Sequence, residues 1–168
     1  MAMQSVSEAS EALLAEIEAV GRKVAQVRQA IGRVIFGQRQ VVDQTLITLL
    51  AQVMLGPGQV AAVPAVTFAT YEIAALLSGA RVEKVPMRGA AVDVQAMAAA
   101  LASGARLSFL ANPNNPTGTA LSAAEMASLV EAVPQGSALV VDEAYAEFAT
   151  APDFPDVPAL VREGAPVV

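Results

Sequence analysis

The chain has 168 residues, of which 55% are hydrophobic, 15% charged and only 4% aromatic, a length and apolar content that fit one domain with a real core and exclude a disordered tail. Ten Lys and Arg against sixteen Asp and Glu leave a net charge of −6, which argues against a nucleic-acid partner. His and Cys are both absent, which removes disulfides, thiol nucleophiles, zinc sites and every Ser-His or Cys-His arrangement.

Residues 5 to about 36 read as a helix. Ser5-Val-Ser-Glu8 has the form of a capping box. Leu13, Ile17, Val20, Val24, Val27, Ile31 and Val34 follow at alternating spacings of 4 and 3, an a/d seam over three heptads. Such a seam packs either on its own domain or on a partner helix. The first 20 residues carry Glu8, Glu11, Glu16 and Glu18 and no basic residue, the reverse of a secretory leader. A second apolar helix is expected from Gln38 to Leu55. Its most apolar part, Thr45 to Val53, is interrupted by Thr48 and Gln52 and falls short of the ~20 residues of a membrane span. The expectation is a cytoplasmic protein without a membrane partner.

After Gly56-Pro57-Gly58 the pattern changes to alternating strands and helices. Val60–Val63 reads as a short apolar strand, Ala69–Leu77 as a helix and Ala80–Pro86 as a strand. Asp93 caps a helix running through Ser103. Arg106–Ala111 is a strand that enters a Pro/Asn/Gly loop. Ser122-Ala-Ala-Glu125 is a capping box opening a helix to about Val133. Ala138–Val141 is a wholly apolar strand, and Pro155 opens a last helix. The fold class is therefore α/β, a parallel sheet flanked by helices and preceded by a long N-terminal helix. Wholly apolar strands imply cover on both faces. The division is an N-terminal helical segment, 1–50, and an α/β domain, 51–168.

Ligands of open α/β sheets bind beyond the carboxyl ends of the strands. Three polar or aromatic features fall there: Thr67-Phe68, Asn112-Pro-Asn-Asn-Pro-Thr-Gly-Thr119 and Asp142-Glu-Ala-Tyr145. Asp142 follows Ala-Leu-Val-Val, where a carboxylate is costly unless a cation or several donors meet it. It is either a hydrogen-bonded turn aspartate or a carboxylate aimed at a ligand cation. The loop is either a plain rigid turn or a stiff frame that fixes one amide. Phe68 and Tyr145, taken singly, are equally compatible with core packing.

Asn-Pro-Asn-Asn-Pro-Thr-Gly-Thr, with Asp142-Glu-Ala-Tyr145 beginning 27 residues after Asn115, resembles the fold-type I pyridoxal-phosphate aminotransferases, most closely the histidinol-phosphate aminotransferase branch. Thr67-Phe-Ala-Thr-Tyr-Glu72, Val85-Pro86 and Glu147-Phe148 fit the same branch, and the resemblance covers about residues 50–168. It implies pyridoxal 5′-phosphate as cofactor, with Asp142 on the pyridine nitrogen, Asn115 and Tyr145 on the ring's phenolic oxygen, and Phe68 stacked on the ring. Val66 stands where the family usually has proline.

The resemblance also shows what to expect missing. The family's Schiff-base lysine lies about thirty residues beyond the aspartate, whereas the sequence ends 26 residues after Asp142. The two lysines present, Lys23 and Lys84, stand in the wrong contexts. The arginine that grips the substrate carboxylate lies later still. The Gly-Ser phosphate loop belongs upstream of residue 50, where Val41-Val-Asp-Gln-Thr-Leu-Ile-Thr48 holds no glycine. No catalytic residue is assigned, and cofactor binding is expected to be weak or absent.

Residues 10–50, including Ile31-Gly-Arg-Val-Ile-Phe-Gly-Gln-Arg-Gln40, resemble the lead-in of MoxR-type AAA+ ATPases, but no Walker A loop follows and the chain has no Gly-Lys step. The chain thus reads as a chimera of two truncated families joined near residues 45–55. The alternatives are a non-catalytic, self-associating structural protein and an ATPase remnant. Open sheet edges and apolar faces predict self-association in the first two cases.

Overall fold

A computed structural model describes residues 39–168, together with Lys23 and Gln26. The Ser5 capping box and the seam from Leu13 to Val34 lie outside the described residues. The chain divides into two compact units, 1–44 and 45–168.

The second unit is a four-stranded parallel sheet with helices on both faces. Helix α1, Arg39–Met54, leads through the Gly56-Pro57-Gly58 turn into strand β1, Val60–Pro64. Helix α2, Thr70–Leu77, connects β1 to β2, Arg81–Val85. A small antiparallel hairpin, β3 (Met87–Arg88) and β4 (Ala91–Val92), precedes helix α3, Val94–Ala102. Strand β5, Leu107–Ala111, helix α4, Ala123–Glu131, and strand β6, Ala138–Asp142, follow. A single 3-10 turn, Ala146–Phe148, and helix α5, Val157–Arg162, complete the order.

The strand order is β2-β1-β5-β6, all parallel. The chain steps outward from β1 to β2 and then returns to the other side of β1. Right-handed crossovers in opposite directions must place their helices on opposite faces. Accordingly Tyr71, Ala74 and Ala75 of α2 pack with Ile47 and Ala51 of α1 on Ala61, Val63, Leu107 and Phe109. On the other face Met97 and Leu101 of α3, Met126 and Leu129 of α4 and Val157 of α5 pack on Ala62, Leu110, Leu139 and Val141. The wholly apolar strands are covered on both sides, as expected.

The outer edge of β6 is met by the last residues. Leu139 N–H donates to the Pro166 carbonyl and accepts in return at its own carbonyl from Val168, both at 3.0 Å, a parallel bridge centred on Val167. The outer strand β2 instead exposes Arg81, Glu83 and Lys84, charges that discourage strand addition.

Two local expectations need correction. The hairpin at 87–92 is absent from the sequence reading, because two-residue strands carry no periodicity. Its turn holds Gly89 at φ +65°, a conformation that favours glycine. Pro155 does not open the last helix: Asp156 is the N-cap, its carboxylate accepting from Ala159 N–H at 2.9 Å, and Pro158 occupies the first turn.

The Ser122–Glu125 capping box forms in full. Ser122 Oγ accepts from Glu125 N–H at 3.3 Å and Glu125 Oε2 accepts from Ser122 N–H at 2.9 Å. These bonds from Ser122's backbone and hydroxyl, with Arg88's charge, hold the Glu125 carboxyl below the ordinary glutamate range. A depressed folded value adds stability that is present above the unfolded value and lost as pH falls through the folded one. Ser122→Ala is expected to cost about 1 kcal/mol at neutral pH. Glu125→Gln should flatten the acid limb of a plot of stability against pH, measured by urea unfolding.

Ser108, the second residue of β5, is fully buried and its hydroxyl has no hydrogen-bond partner. An unsatisfied buried hydroxyl costs about 1–3 kcal/mol. Ser108→Ala should therefore raise the urea midpoint, by about 1 kcal/mol in unfolding free energy at an unchanged m-value.

Candidate functional site

Reversal of strand order between β1 and β5 makes a switch point, and the loops leaving β1, β5 and the adjacent β6 share one rim. The three sequence features sit on these loops. Asn112 N–H donates to the Asp142 carbonyl at 2.9 Å, which carries the β5–β6 ladder into the rim.

Asn114 ties the rim together. It is buried, and its Nδ2 donates to the Val66 carbonyl at 3.0 Å and to Thr117 Oγ1 at 2.9 Å. Its Oδ1 accepts from the Thr67 hydroxyl at 2.9 Å. Thr119 Oγ1 donates onward to the Ala90 carbonyl at 3.2 Å, so in the 3.0 Å contact between Thr117 and Thr119 the proton belongs to Thr117. The hydrogen bonds thus run in one direction from Asn114 to the 87–92 hairpin. Asn114 N–H also donates to the Thr119 carbonyl, and Gly118 N–H to the Asn114 carbonyl. Gly118 has φ +71°, which closes this turn. The Asn112–Pro113 and Asn115–Pro116 peptides are both cis.

Asn115 follows this hub and lines a cavity of about 300 Å³ with Pro113, Pro116, Gly118, Tyr145 and Phe148. The Tyr145 and Phe148 rings stand 6.3 Å apart, tilted by 44°. Phe148 is 71% exposed, so the cavity opens to solvent past an aromatic lip. Asn115 and Tyr145 are therefore brought together on one cavity wall. Asp142 and Phe68 do not line it.

Asp142 ends β6, half-buried. Tyr71 Oη donates to its Oδ2 at 2.7 Å, and Ala144 N–H donates to its Oδ1 at 2.9 Å in a local turn. No Lys or Arg among the described residues pairs with it; the Lys84 ammonium is held by Glu72 at 2.9 Å. Tyr71 is fully buried, stacked on Phe109 with centroids 5.2 Å apart, and meets the Phe68 ring edge-on at 5.6 Å. Phe68 and Asp142 are thus joined through Tyr71, whose role the sequence reading missed. The signal was its place three residues after Phe68, one helical turn on. Asn114 was missed because nothing in three neighbouring asparagines says which faces inward.

Beside Asp142, the Glu143 carboxyl is pushed above the ordinary glutamate range, first by burial and then by Asp156's charge. Among the described residues no group of acidic side chains is placed to hold a metal ion, and no helix is long and apolar enough to cross a membrane.

Residues 41–168 match the family model for aminotransferase class I and II. A histidinol-phosphate aminotransferase of Symbiobacterium thermophilum is 48% identical over 120 residues, 71% of this chain and 33% of that protein. One from Moorella thermoacetica is 41% identical over 119 residues, 71% of this chain and 31% of that protein. The crystal structure of histidinol-phosphate aminotransferase from Sinorhizobium meliloti in complex with pyridoxal-5′-phosphate superposes with a TM-score of 0.63 at 27% identity, over 68% of this chain and 31% of that one. The chain spans about a third of the length of these relatives. Sequence match and sheet geometry agree, and the chain belongs to the aminotransferase class I and II family.

Proposed function

We propose that residues 51–168 form a cytoplasmic, histidinol-phosphate aminotransferase-like domain carrying part of a pyridoxal-phosphate pocket, following a helical segment, 1–50. In this reading the chain alone does not transaminate. The observation that carries it is the Asp142 carboxylate. It is held at the rim by a buried tyrosine, without a counter-cation among the described residues, three positions before Tyr145, which with Asn115 walls a cavity.

The residues fit the ring of the cofactor. Each Asp142 oxygen accepts one hydrogen bond and keeps a lone pair for a protonated ring nitrogen. Asn115 and Tyr145 offer an amide and a phenol for its oxygen, and Phe68 an apolar face. The cavity is at the small end of ligand sites, which run from about 300 to 1,000 Å³. The fit stops at the phosphate: residues 41–48 lie inside α1 as continuous helix rather than in a glycine-bearing loop. When bound, pyridoxal phosphate supplies an electron sink for a carbanion. This chain's residues would orient the ring and hold a proton at its nitrogen. Lys84 lies on the edge strand β2 with its ammonium on Glu72, away from covalent attachment.

The test is a pyridoxal-phosphate titration of the full chain, followed by absorbance, then borohydride reduction and mass spectrometry. Weak, saturable binding that Asp142→Ala abolishes, with no site-specific lysine adduct, is expected. A stoichiometric adduct on Lys84 accompanied by amino transfer would overturn the reading.

A second reading, a self-associating structural role, is favoured by exposed apolar side chains on α1 and α2: Val53 is 82% exposed and Leu77 73%. Sedimentation over a hundredfold concentration range decides it, a monomer throughout removing the idea.

A further inference from the structure

Thr67 and Asn114 each stand one position before a residue of the pocket, Phe68 and Asn115. The two are bonded to each other across the loops leaving β1 and β5. Asn114 is 2% exposed, and its side-chain atoms have no freedom of role. The Val66 carbonyl can only accept, so Nδ2 must face it, at 3.0 Å. Thr117 gives its proton to Thr119, which donates to the Ala90 carbonyl, so Thr117 can only accept from Nδ2. Oδ1 is left to the Thr67 hydroxyl at 2.9 Å, and that hydroxyl must donate.

These bonds close a ring of contacts around the rim. Asn114 grips Val66 and Thr67, the two residues just before Phe68. The Phe68 ring meets Tyr71 edge-on at 5.6 Å, and the Phe68 carbonyl accepts from Tyr71 N–H at 3.2 Å. Tyr71 Oη reaches Asp142 at 2.7 Å, and the Asp142 carbonyl accepts from Asn112 N–H at 2.9 Å. Asn112 leads through Pro113 back to Asn114. In this ring the Thr67–Asn114 bond joins two side chains directly, and the residues it spaces are an aromatic face and a free-standing amide.

We propose that Thr67 and Asn114 form a clamp that positions the cofactor ring. Their bond sets the separation between Phe68, which offers the ring a face, and Asn115, which offers its oxygen an amide. Both are positioning residues and act through the residue that follows them. Small displacements of such groups weaken a site whose own contact residues are unchanged. The consequence for the ring rests on the cofactor reading above, while the spacing of Phe68 and Asn115 does not.

The experiment compares Thr67→Val, which keeps the shape and deletes the donor that Oδ1 uses, with Thr67→Ser, which keeps the donor. Without cofactor, NMR of the full chain follows the Phe68 ring and the Asn115 side-chain amide. Thr67→Val is expected to shift both sets of signals, and Thr67→Ser to restore both. With pyridoxal phosphate, Thr67→Val should bind about fivefold more weakly, as for the loss of one hydrogen bond, and with a smaller induced circular dichroism of the bound cofactor. Thr67→Ser should match the parent in both. Ser122→Ala, which loosens the α4 cap, should lower stability without either change and so separates positioning from stability. An Asn115 amide signal that stays in place in Thr67→Val, or a valine variant with the parent's affinity and dichroism, would overturn the proposal. A parent chain without saturable binding would instead overturn the cofactor reading, and the cofactor-free signals alone would then decide the clamp.

Discussion

Replacing Tyr71 by alanine is expected to remove about 3–5 kcal/mol of stability, the range for deleting a buried aromatic side chain. That is a large part of the roughly 5–15 kcal/mol of a typical domain. Three contacts go at once: stacking on Phe109, the edge contact with Phe68 and the 2.7 Å hydrogen bond to Asp142. Tyr71→Phe keeps both ring contacts and loses only the hydroxyl. It should cost about 1–2 kcal/mol, since Asp142 is half-buried and water can replace part of the lost bond. Urea unfolding of the two variants separates ring from hydroxyl. Equal losses would mean that the hydrogen bond, not the packing, carries the residue.

Asn114→Ala is expected to cost about 2–4 kcal/mol. It deletes two donated bonds and one accepted bond in a buried setting and strands the Val66 carbonyl and the Thr67 hydroxyl. Asn114→Asp keeps the volume and the acceptor but turns both donors into acceptors facing acceptors. It should cost at least as much at neutral pH and recover in acid, where the carboxyl regains a proton. Thermal melts at pH 7 and pH 4 measure this. An aspartate variant as stable as the parent at pH 7 would show that the loops leaving β1 and β5 are held by something other than this side chain.

Most of the parallel sheet was legible because β1, β5 and β6 are short, mostly apolar runs, and the helices after β4 and β5 announce their starts with Asp93 and Ser122. Ser122-Ala-Ala-Glu125 and Asp93 act as written, through 3.3 Å and 3.0 Å caps. The placement of three loops on one rim also followed from parallel strands alone. What stayed hidden depends on register and facing, which one-dimensional spacing does not encode. Tyr71 reaches Asp142 across 71 positions, and Asn114 reaches Thr67 across 47. The hairpin at Met87–Val92 was too short for a pattern, and at 155–158 two prolines competed for one helix start until Asp156 supplied the cap.

The most direct test of the account is two-dimensional amide NMR of the full chain with increasing pyridoxal phosphate, read beside Asp142→Ala. The account predicts progressive shifts confined to Phe68, Asn115 and residues 142–145, absent in the variant. Shifts scattered over the surface, centred on Lys84, or unchanged by removing the carboxylate would contradict it.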